Sequence, residues 1–386
     1  MNASSFIPLG ELFRKRLERC SESLPVLSVT LDKGLVTRNS LDRKQETELL
    51  PGEHLLAKKD DLVYNMMRMW QGASGVAPHD GIVSPAYVVL APRTSRVDPG
   101  FASYLFKTQK LLHCFWSQSY GITDDRLRLY YKDFAKIKVS LPTIEYQRRV
   151  AAALRNIDHT VSLYSALIDA TRRLKQYFVD CLFNPVFADV GAAGVKDRPL
   201  FGDSVRLAQN RFEPASELDR PLCIELDDLL GELGALRGPI QPVPDHASAK
   251  IRFRKGDILY GKLRPYLRKF LLPSFEGVCS SEIWVLRPSA TSVLPAFVFY
   301  LVQTTKFSRF ANVATGSKMP RAEWSMVQRI PLSLPEPAVQ QAIVSPLVVL
   351  DRRIDCLRTA LKESEGLKEG ILSECLEKAV QVCTRG

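Results

Sequence analysis

The chain has 386 residues, 46% of them hydrophobic, with 53 Lys and Arg against 42 Asp and Glu. That length is too great for one core and predicts two or three domains, and the apolar content excludes wholesale disorder. The net charge of +11 favours a polyanionic partner.

No apolar run reaches the ~18–20 residues that span a bilayer. The start, Met1-Asn2-Ala3-Ser4-Ser5-Phe6, carries neither a charged n-region nor an h-region, so a cytoplasmic chain is expected. Eight cysteines are scattered without a CxxC pair, most in apolar contexts such as Val179-Asp180-Cys181-Leu182-Phe183. Reduced, buried thiols are the expectation, not a zinc site.

In chain order, residues 1–136 read as a mixed α/β module. A β-rich run at Ala86–Leu90 is followed by a short helix at Phe101–Phe106, behind Pro99. The loop Tyr120–Arg128 holds Arg126 and Arg128 and precedes Leu141-Pro142. Residues 137–186 then predict a long helix from about Ile144 to Phe183. Its apolar residues Val150, Leu154, Ile157, Val161, Tyr164 and Ile168 step by four and three, the seam of a coiled coil. The seam is expected to change phase afterwards, to Leu167, Leu174 and Phe178. Asn184-Pro185 ends the helix. At 1.5 Å per residue, some forty residues span roughly 60 Å.

Residues 187–329 predict a second mixed α/β module, with a strand at Ile283–Leu286 and a short helix at Phe297–Val302. Its most pointed feature lies at Lys250–Phe270. Lys250, Arg252, Arg254, Lys255, Lys262, Arg264, Arg268 and Lys269 stand there against one acid, Asp257, with Phe253, Tyr260, Tyr266 and Phe270 interleaved. After a strand at Asp257–Tyr260, residues 261–269 should form a projecting turn or hairpin. Its Lys262, Arg264, Arg268 and Lys269 suit phosphates and guanine edges, with Tyr266 beside them. A solvated basic face accounts for the charge equally well. The loop Ala314–Arg321 adds the donors Ser317, Lys318 and Arg321 around Gly316. Residues 330–386 repeat the Leu-Pro-helix pattern. Ile343, Leu347, Leu350, Ile354, Leu357 and Leu361 form the seam, Leu367 and Ile371 a shifted continuation, and Pro346 should kink the helix or delay its start.

The second half of the chain rewrites the first. Leu55–Trp116 runs without a gap onto Ile251–Asn312 at an offset of 196, which aligns Asp61 with Asp257, Tyr64 with Tyr260 and Arg68 with Arg264. From Ile137 the match resumes at an offset of 193, aligning Gln147 with Gln340, Asp158 with Asp351 and Lys175 with Lys368. A period this long is a duplicated module, not a solenoid. Neither helix can bury its stripe alone, so the two are expected to pair antiparallel. Packing of each helix on its own module is the plainer option.

Catalytic signatures are missing. No GxxxxGK[ST] loop or HExxH motif occurs, the five histidines are isolated, and the acidic pairs Asp124-Asp125 and Asp227-Asp228 lack metal-ligand spacing. Asn184-Pro185-Val186-Phe187 resembles the Asn-Pro-Pro-aromatic loop of adenine methyltransferases but lacks its second proline and reads as a helix stop. The chain is expected not to be an enzyme.

The order of module, Leu-Pro-helix, module and Leu-Pro-helix resembles the specificity subunit of type I restriction–modification systems. The segments Ile137–Pro142, Ile330–Pro335 and Gln340–Ile343, the loop Ala314–Arg321 and the strand pair Gly256–Tyr260 and Cys279–Glu282 carry the likeness. The family's usual Glu-Gln pair is here Tyr146-Gln147 and Val339-Gln340. The first module is poorer in bases across Lys58–Arg68. The resemblance implies two target-recognition domains, at 1–136 and 187–329, each reading half of a split DNA target. Arg68, Arg126 and Arg128 are the candidates in the first, with the basic residues named above in the second. It implies spacer helices that dock two methyltransferase subunits, which bring the S-adenosylmethionine, and a further motor-nuclease subunit. This chain would need no cofactor of its own. A recognition subunit of another methylation-linked phage-defence system and a coiled-coil interaction scaffold are the other functions weighed.

Overall fold

The computed structural model describes residues 6–20, 24–40, 52–93, 95–121, 123, 127–187, 199–216, 218–313, 319–377 and 381–382. The chain divides into two compact units, Met1–Ser165 with Thr359–Gly386, and Ala166–Arg358.

In the first unit, strands β1 (Phe13–Arg16), β2 (Leu55–Ala57), β3 (Leu62–Asn65), β4 (Ser74–Val76), β5 (Gly81–Val83) and β6 (Tyr87–Pro92) lead into helices α1 (Pro99–Leu105) and α2 (Gln109–Ser117). A four-stranded antiparallel sheet has the order β1-β6-β3-β4, and β2 pairs with β5. α3 (Ile144–Phe183) follows and enters the second unit. There β7 (Val205–Leu207), β8 (Lys250–Phe253), β9 (Ile258–Gly261), β10 (Phe270–Leu271), β11 (Gly277–Cys279) and β12 (Ile283–Pro288) precede α4 (Pro295–Leu301) and α5 (Thr305–Ala311). The sheet β7-β12-β9-β10 repeats the first strand for strand, and β8 pairs with β11 as β2 does with β5. α6 (Pro337–Ile371) closes the pattern.

The duplication reaches details that the sequence match missed. A Cβ on Gly10 would lie 2.8 Å from that of Ala135, and one on Gly202 would lie 2.9 Å from that of Gln328, so only glycine fits at either equivalent site. Gln147 and Gln340 are both fully buried. Gln147 accepts from the Asp98 N–H and donates to the carbonyls of Arg96 and Pro142. Gln340 accepts from the Leu294 N–H and donates to those of Ser292 and Pro335. Each glutamine bolts the start of a long helix to the entry of a short one, with its side-chain amide fully used.

One pair shows compensation. Arg16 grips Asp61 with Nε at 2.7 Å and Nη2 at 3.1 Å. In the second unit the guanidinium at Asp257 comes from Arg287, Nε at 2.7 Å, on the neighbouring strand. The position matching Arg287 is Ala91, which lies opposite Arg14 in the β1–β6 ladder. The same buried carboxylate is neutralised from two different strands.

Both helical seams do two jobs. In the first unit, Val150, Ala151 and Leu154 pack into the core with Phe13, Tyr64 and Phe101. In the second, Val344 and Leu347 of α6 and Val179 and Phe183 of α3 pack with Tyr260, Phe297 and Phe307. The paired stretches also lock together antiparallel. In the first unit Lys368 Nζ lies 2.6 Å from Asp158, whose other oxygen accepts the Tyr104 hydroxyl at 2.7 Å. In the second, Lys175 Nζ lies 2.6 Å from Asp351, which accepts the Tyr300 hydroxyl at 2.6 Å. Each lysine comes from the opposite repeat to its aspartate. Burial, followed by the aspartate, pushes both phenols well above their ordinary range.

Three expectations are corrected. The seam does not change phase: Thr171, Lys175 and Val179 are its buried positions, while Leu167, Leu174 and Phe178 are 39%, 47% and 38% exposed. Thr171 can sit there because its hydroxyl returns to the Leu167 carbonyl, and Lys175 because of Asp351. α6 begins at Pro337 and runs on through Pro346, so its start is not delayed. Pro346 and Ala342 both lie on the exposed face, where water can serve the carbonyl that proline leaves without its helical donor. Cys181 is exposed on α3, as is Cys356 on α6.

Candidate nucleic-acid interface

The basic run resolves into a hairpin whose cations have different duties. β9 and β10 pair antiparallel, Tyr260 opposite Phe270. Between them Pro265–Leu267 forms one tight turn. Lys250 is buried against Glu225, and the Arg252 guanidinium lies 4.5 Å from the centre of the Phe212 ring. Arg268 donates to the Gln176 side chain at 2.8 Å and to the Gln303 carbonyl at 2.5 Å. Lys269 donates to the Leu226 carbonyl at 2.8 Å. These four hold the module together. Arg254 and Lys255 are exposed but sit before β9, at the end away from the turn. Lys262, Arg264 and Tyr266 remain at the tip. Arg264 is exposed and Tyr266 is 55% exposed.

The tip is held under strain. Arg264 has φ +52° and Arg268 φ +48°, in the left-handed region that costs a side-chain-bearing residue roughly 1–2 kcal/mol. The Arg264 N–H donates to the Pro320 carbonyl and the Ala322 N–H to the Lys262 carbonyl, both at 2.8 Å, so the turn is clamped to the segment carrying Arg321. Side chains held in such conformations at an exposed turn are frequent in binding sites.

The same site exists in the first unit. Between β3 and β4 the equivalent turn is Met69–Gln71, entered by Arg68 and closed by Gly72 at φ +87°. Arg68 occupies the place of Arg264, Trp70 that of Tyr266, and Gly72 that of Arg268. The Leu129 N–H donates to the Met66 carbonyl at 2.9 Å, the counterpart of the Ala322 clamp, and this brings Arg128 to the place of Arg321. Arg68 and Arg128 are exposed. Each unit therefore offers an arginine and an aromatic on one turn, with a second arginine from the segment before the long helix. The units differ in detail. Arg321 is bound by Glu282 at 3.1 Å, where the first unit has Ala86, and Lys262 stands where it has Met66.

Sequence reasoning missed Trp70. The offset of 196 that joins Arg68 to Arg264 also joins Trp70 to Tyr266, so the signal was present. Arg126, Ser317 and Lys318 lie outside the described residues. Among the described residues, no group of three or more His, Cys, Asp or Glu side chains could hold a metal ion, and no helix is long and apolar enough to cross a membrane.

Residues 245–364 match the family described as type I restriction modification DNA specificity domain. The chain is 30% identical over 122 residues to the specificity subunit of the type I restriction enzyme HindI of Haemophilus influenzae. That match covers 30% of this chain and spans only 26% of the HindI subunit's length. A longer likeness, 21% identical over 344 residues, joins it to the MjaVIII specificity subunit of Methanocaldococcus jannaschii, across 82% of this chain and 79% of that one. The crystal structure of the type I S subunit from M. genitalium shares the fold, with a TM-score of 0.58 and 14% identity over 96% of each chain. Residues 245–364 thus carry the specificity domain of type I restriction–modification systems, and the first unit repeats the sheet order and helix pattern of the second.

Proposed function

We propose that this chain reads a bipartite DNA target without catalysing a reaction itself, and positions methyltransferase subunits upon it. The duplicated turn carries the proposal. Arg68, Trp70 and Arg128 in one unit, and Lys262, Arg264, Tyr266 and Arg321 in the other, offer guanidinium forks, which pair bidentately with guanine edges or phosphates, beside an aromatic surface. Two similar sites with different neighbours suit two half-sites of different sequence.

The docking role is supported by the face that the seam leaves uncovered. Leu167, Leu174, Tyr177 and Phe178 lie along one side of α3 in the second unit, with Tyr177 63% exposed. A row of large apolar side chains at helical spacing is an expected seat for another subunit. On this reading S-adenosylmethionine and, where present, motor and nuclease activities reside in the partners, and the complex works in the cytoplasm.

Methylome sequencing of cells carrying the chain with its methyltransferase tests the proposal. A methylated-adenine motif in two parts separated by a fixed gap is expected, and it should vanish when this chain is deleted. Methylation unchanged by the deletion would refute it.

A further inference from the structure

A second concentration of arginine lies away from the turn, inside the second unit. A cavity of about 570 Å³ is bounded by α3, α6, α4 and the loop at Gly231–Ala235. Five cationic side chains line it, Arg172, Arg173, Lys175, Arg268 and Arg358, against the carboxylates Glu232, Asp351 and Asp355. Asp351 is consumed by Lys175. Glu232 and Asp355 are 65% and 72% exposed and reach their arginines only at 3.4 Å. Arg172 also pairs with Asp169, at 3.4 Å, so the five cations face four carboxylates and one positive charge is left over.

Three donor atoms show it directly. Arg172 Nε, Arg268 Nε and Arg358 Nη2 are shut off from solvent and have no hydrogen-bond partner. A buried charged donor without an acceptor is costly, and each such atom calls for a cause. Burial, and then the neighbouring Arg358, lower the Arg172 pKa, and the Asp169 carboxylate at 3.4 Å only partly opposes them.

The duplicated frame does not require these arginines. In the first unit the positions of Arg172, Arg173, Arg268 and Arg358 are Glu365, Gly366, Gly72 and Ser165. The Tyr-Asp-Lys lock beside them is kept in both units, so the architecture stands without the arginine cluster. Something particular to the second unit accounts for it.

We propose that this cavity binds a small phosphate ester of the nucleotide class, its phosphates on Arg172 and Arg358 and its apolar part on Phe299 and Leu272. Planar guanidinium forks match phosphate oxygens bidentately. Phe299 is 8% exposed and, with Leu272, Ala296 and Val348, supplies an apolar wall. The volume lies within the ~300–1,000 Å³ of small-molecule sites. The exposed carboxylates of Glu232 and Asp355 disfavour a long polyanion such as duplex DNA.

Calorimetric titration of the full-length chain with ATP, AMP and inorganic pyrophosphate tests this, beside Arg358→Ser, which copies Ser165, and Arg172→Gln/Arg358→Gln. Circular dichroism checks that the variants are folded. Saturable 1:1 binding of ATP is expected, at least about tenfold tighter than pyrophosphate and weakened at least about tenfold in the double variant. Arg264→Ala, at the DNA turn, should bind ATP as the parent chain does. Four results overturn the proposal: no binding at millimolar ligand; equal binding by the folded double variant; pyrophosphate as tight as ATP; or displacement of ATP by hexaglutamate at lower concentration than by AMP, which would assign the cavity to a protein partner's carboxylates.

Discussion

Arg264 and Arg268 lie four residues apart on one turn, and the structure assigns them opposite roles. Arg264 is exposed, and its side chain makes no hydrogen bond or ion pair among the described residues. Arg264→Ala should therefore leave stability within about 0.5 kcal/mol of the parent chain. It should cost about 1–3 kcal/mol of DNA affinity, roughly 5- to 150-fold, and relax readout at one half-site only. Arg268 is 17% exposed and joins Gln176 on α3 to the Gln303 carbonyl after α4. Removing it orphans the Gln176 side-chain oxygen and leaves the Gln303 carbonyl only the Gln176 amide at 3.2 Å, so Arg268→Ala should destabilise by about 2 kcal/mol. Arg268→Gly, which copies Gly72, should recover about 1 kcal/mol of that, because glycine takes φ +48° without strain. Fluorescence-anisotropy titration on a duplex carrying the methylated motif, at several salt concentrations, measures the binding. Guanidinium unfolding of the same proteins measures the stability. The reasoning fails if Arg264→Ala binds like the parent chain, or if Arg264→Ala and Arg268→Ala lose affinity and stability in equal measure.

Four further outcomes are expected. Arg68→Ala should weaken the half-site that Arg264→Ala spares, read from binding to duplexes with either half-site scrambled; loss at the same half-site would break the assignment of one turn per half. Gln147→Ala or Gln340→Ala should each lower unfolding stability by about 3 kcal/mol, since a buried N–H and two carbonyls lose their partner. A drop below about 1 kcal/mol would show that the glutamine is no bolt. Arg16→Ala should destabilise by about 3 kcal/mol by stranding Asp61, which is 3% exposed, and Ala91→Arg should restore at least half of it by copying Arg287. No rescue in the double variant would mean that the two strands are not interchangeable. Iodoacetamide at pH 8 should modify the exposed Cys181 and Cys356 in the native chain while sparing Cys223. Burial pushes the Cys223 thiol up to about 12, so it holds its proton and stays unreactive until the chain unfolds. Peptide mass mapping that found Cys223 labelled first would contradict the burial.

Much of the architecture was legible because periodicity and duplication are one-dimensional signals. The steps of four and three marked both long helices, and α3 runs over the predicted Ile144–Phe183. The turn at the basic run followed from the strand predicted at Asp257–Tyr260 and the Gly261–Lys269 run after it. What failed was the seam beyond Ile168. Reading apolar residues alone selected Leu167, Leu174 and Phe178, because Thr171 and Lys175 look like surface residues. The burial of Lys175 depends on Asp351 and Tyr300, more than 120 residues away in sequence, which no local pattern displays.

The site was legible only in part. Charge density marked Lys250–Lys269 as a unit, but density cannot tell a cation that faces solvent from one that ties strands together. The difference lies in acceptors that arrive from elsewhere, Gln303 for Arg268, Leu226 for Lys269 and Glu225 for Lys250. The apparent imbalance between the halves was a product of the same counting. Most of the surplus cations of the second unit serve its own packing, and the exposed arginine–aromatic turn is common to both.

The sequence by itself determined that this chain is a duplicated pair of α/β modules on two long helices, since repeats and seams survive in the order of residues. The tertiary structure decided which charges are free. It separated Arg264 from Arg268, moved the partner of a conserved-in-place aspartate from Arg16 to Arg287, and gathered Arg172, Arg268 and Arg358 around one cavity. The physical reason is the same in each case: whether a cation is a bond, a reader or an unmet donor depends on the acceptor that the fold brings to it.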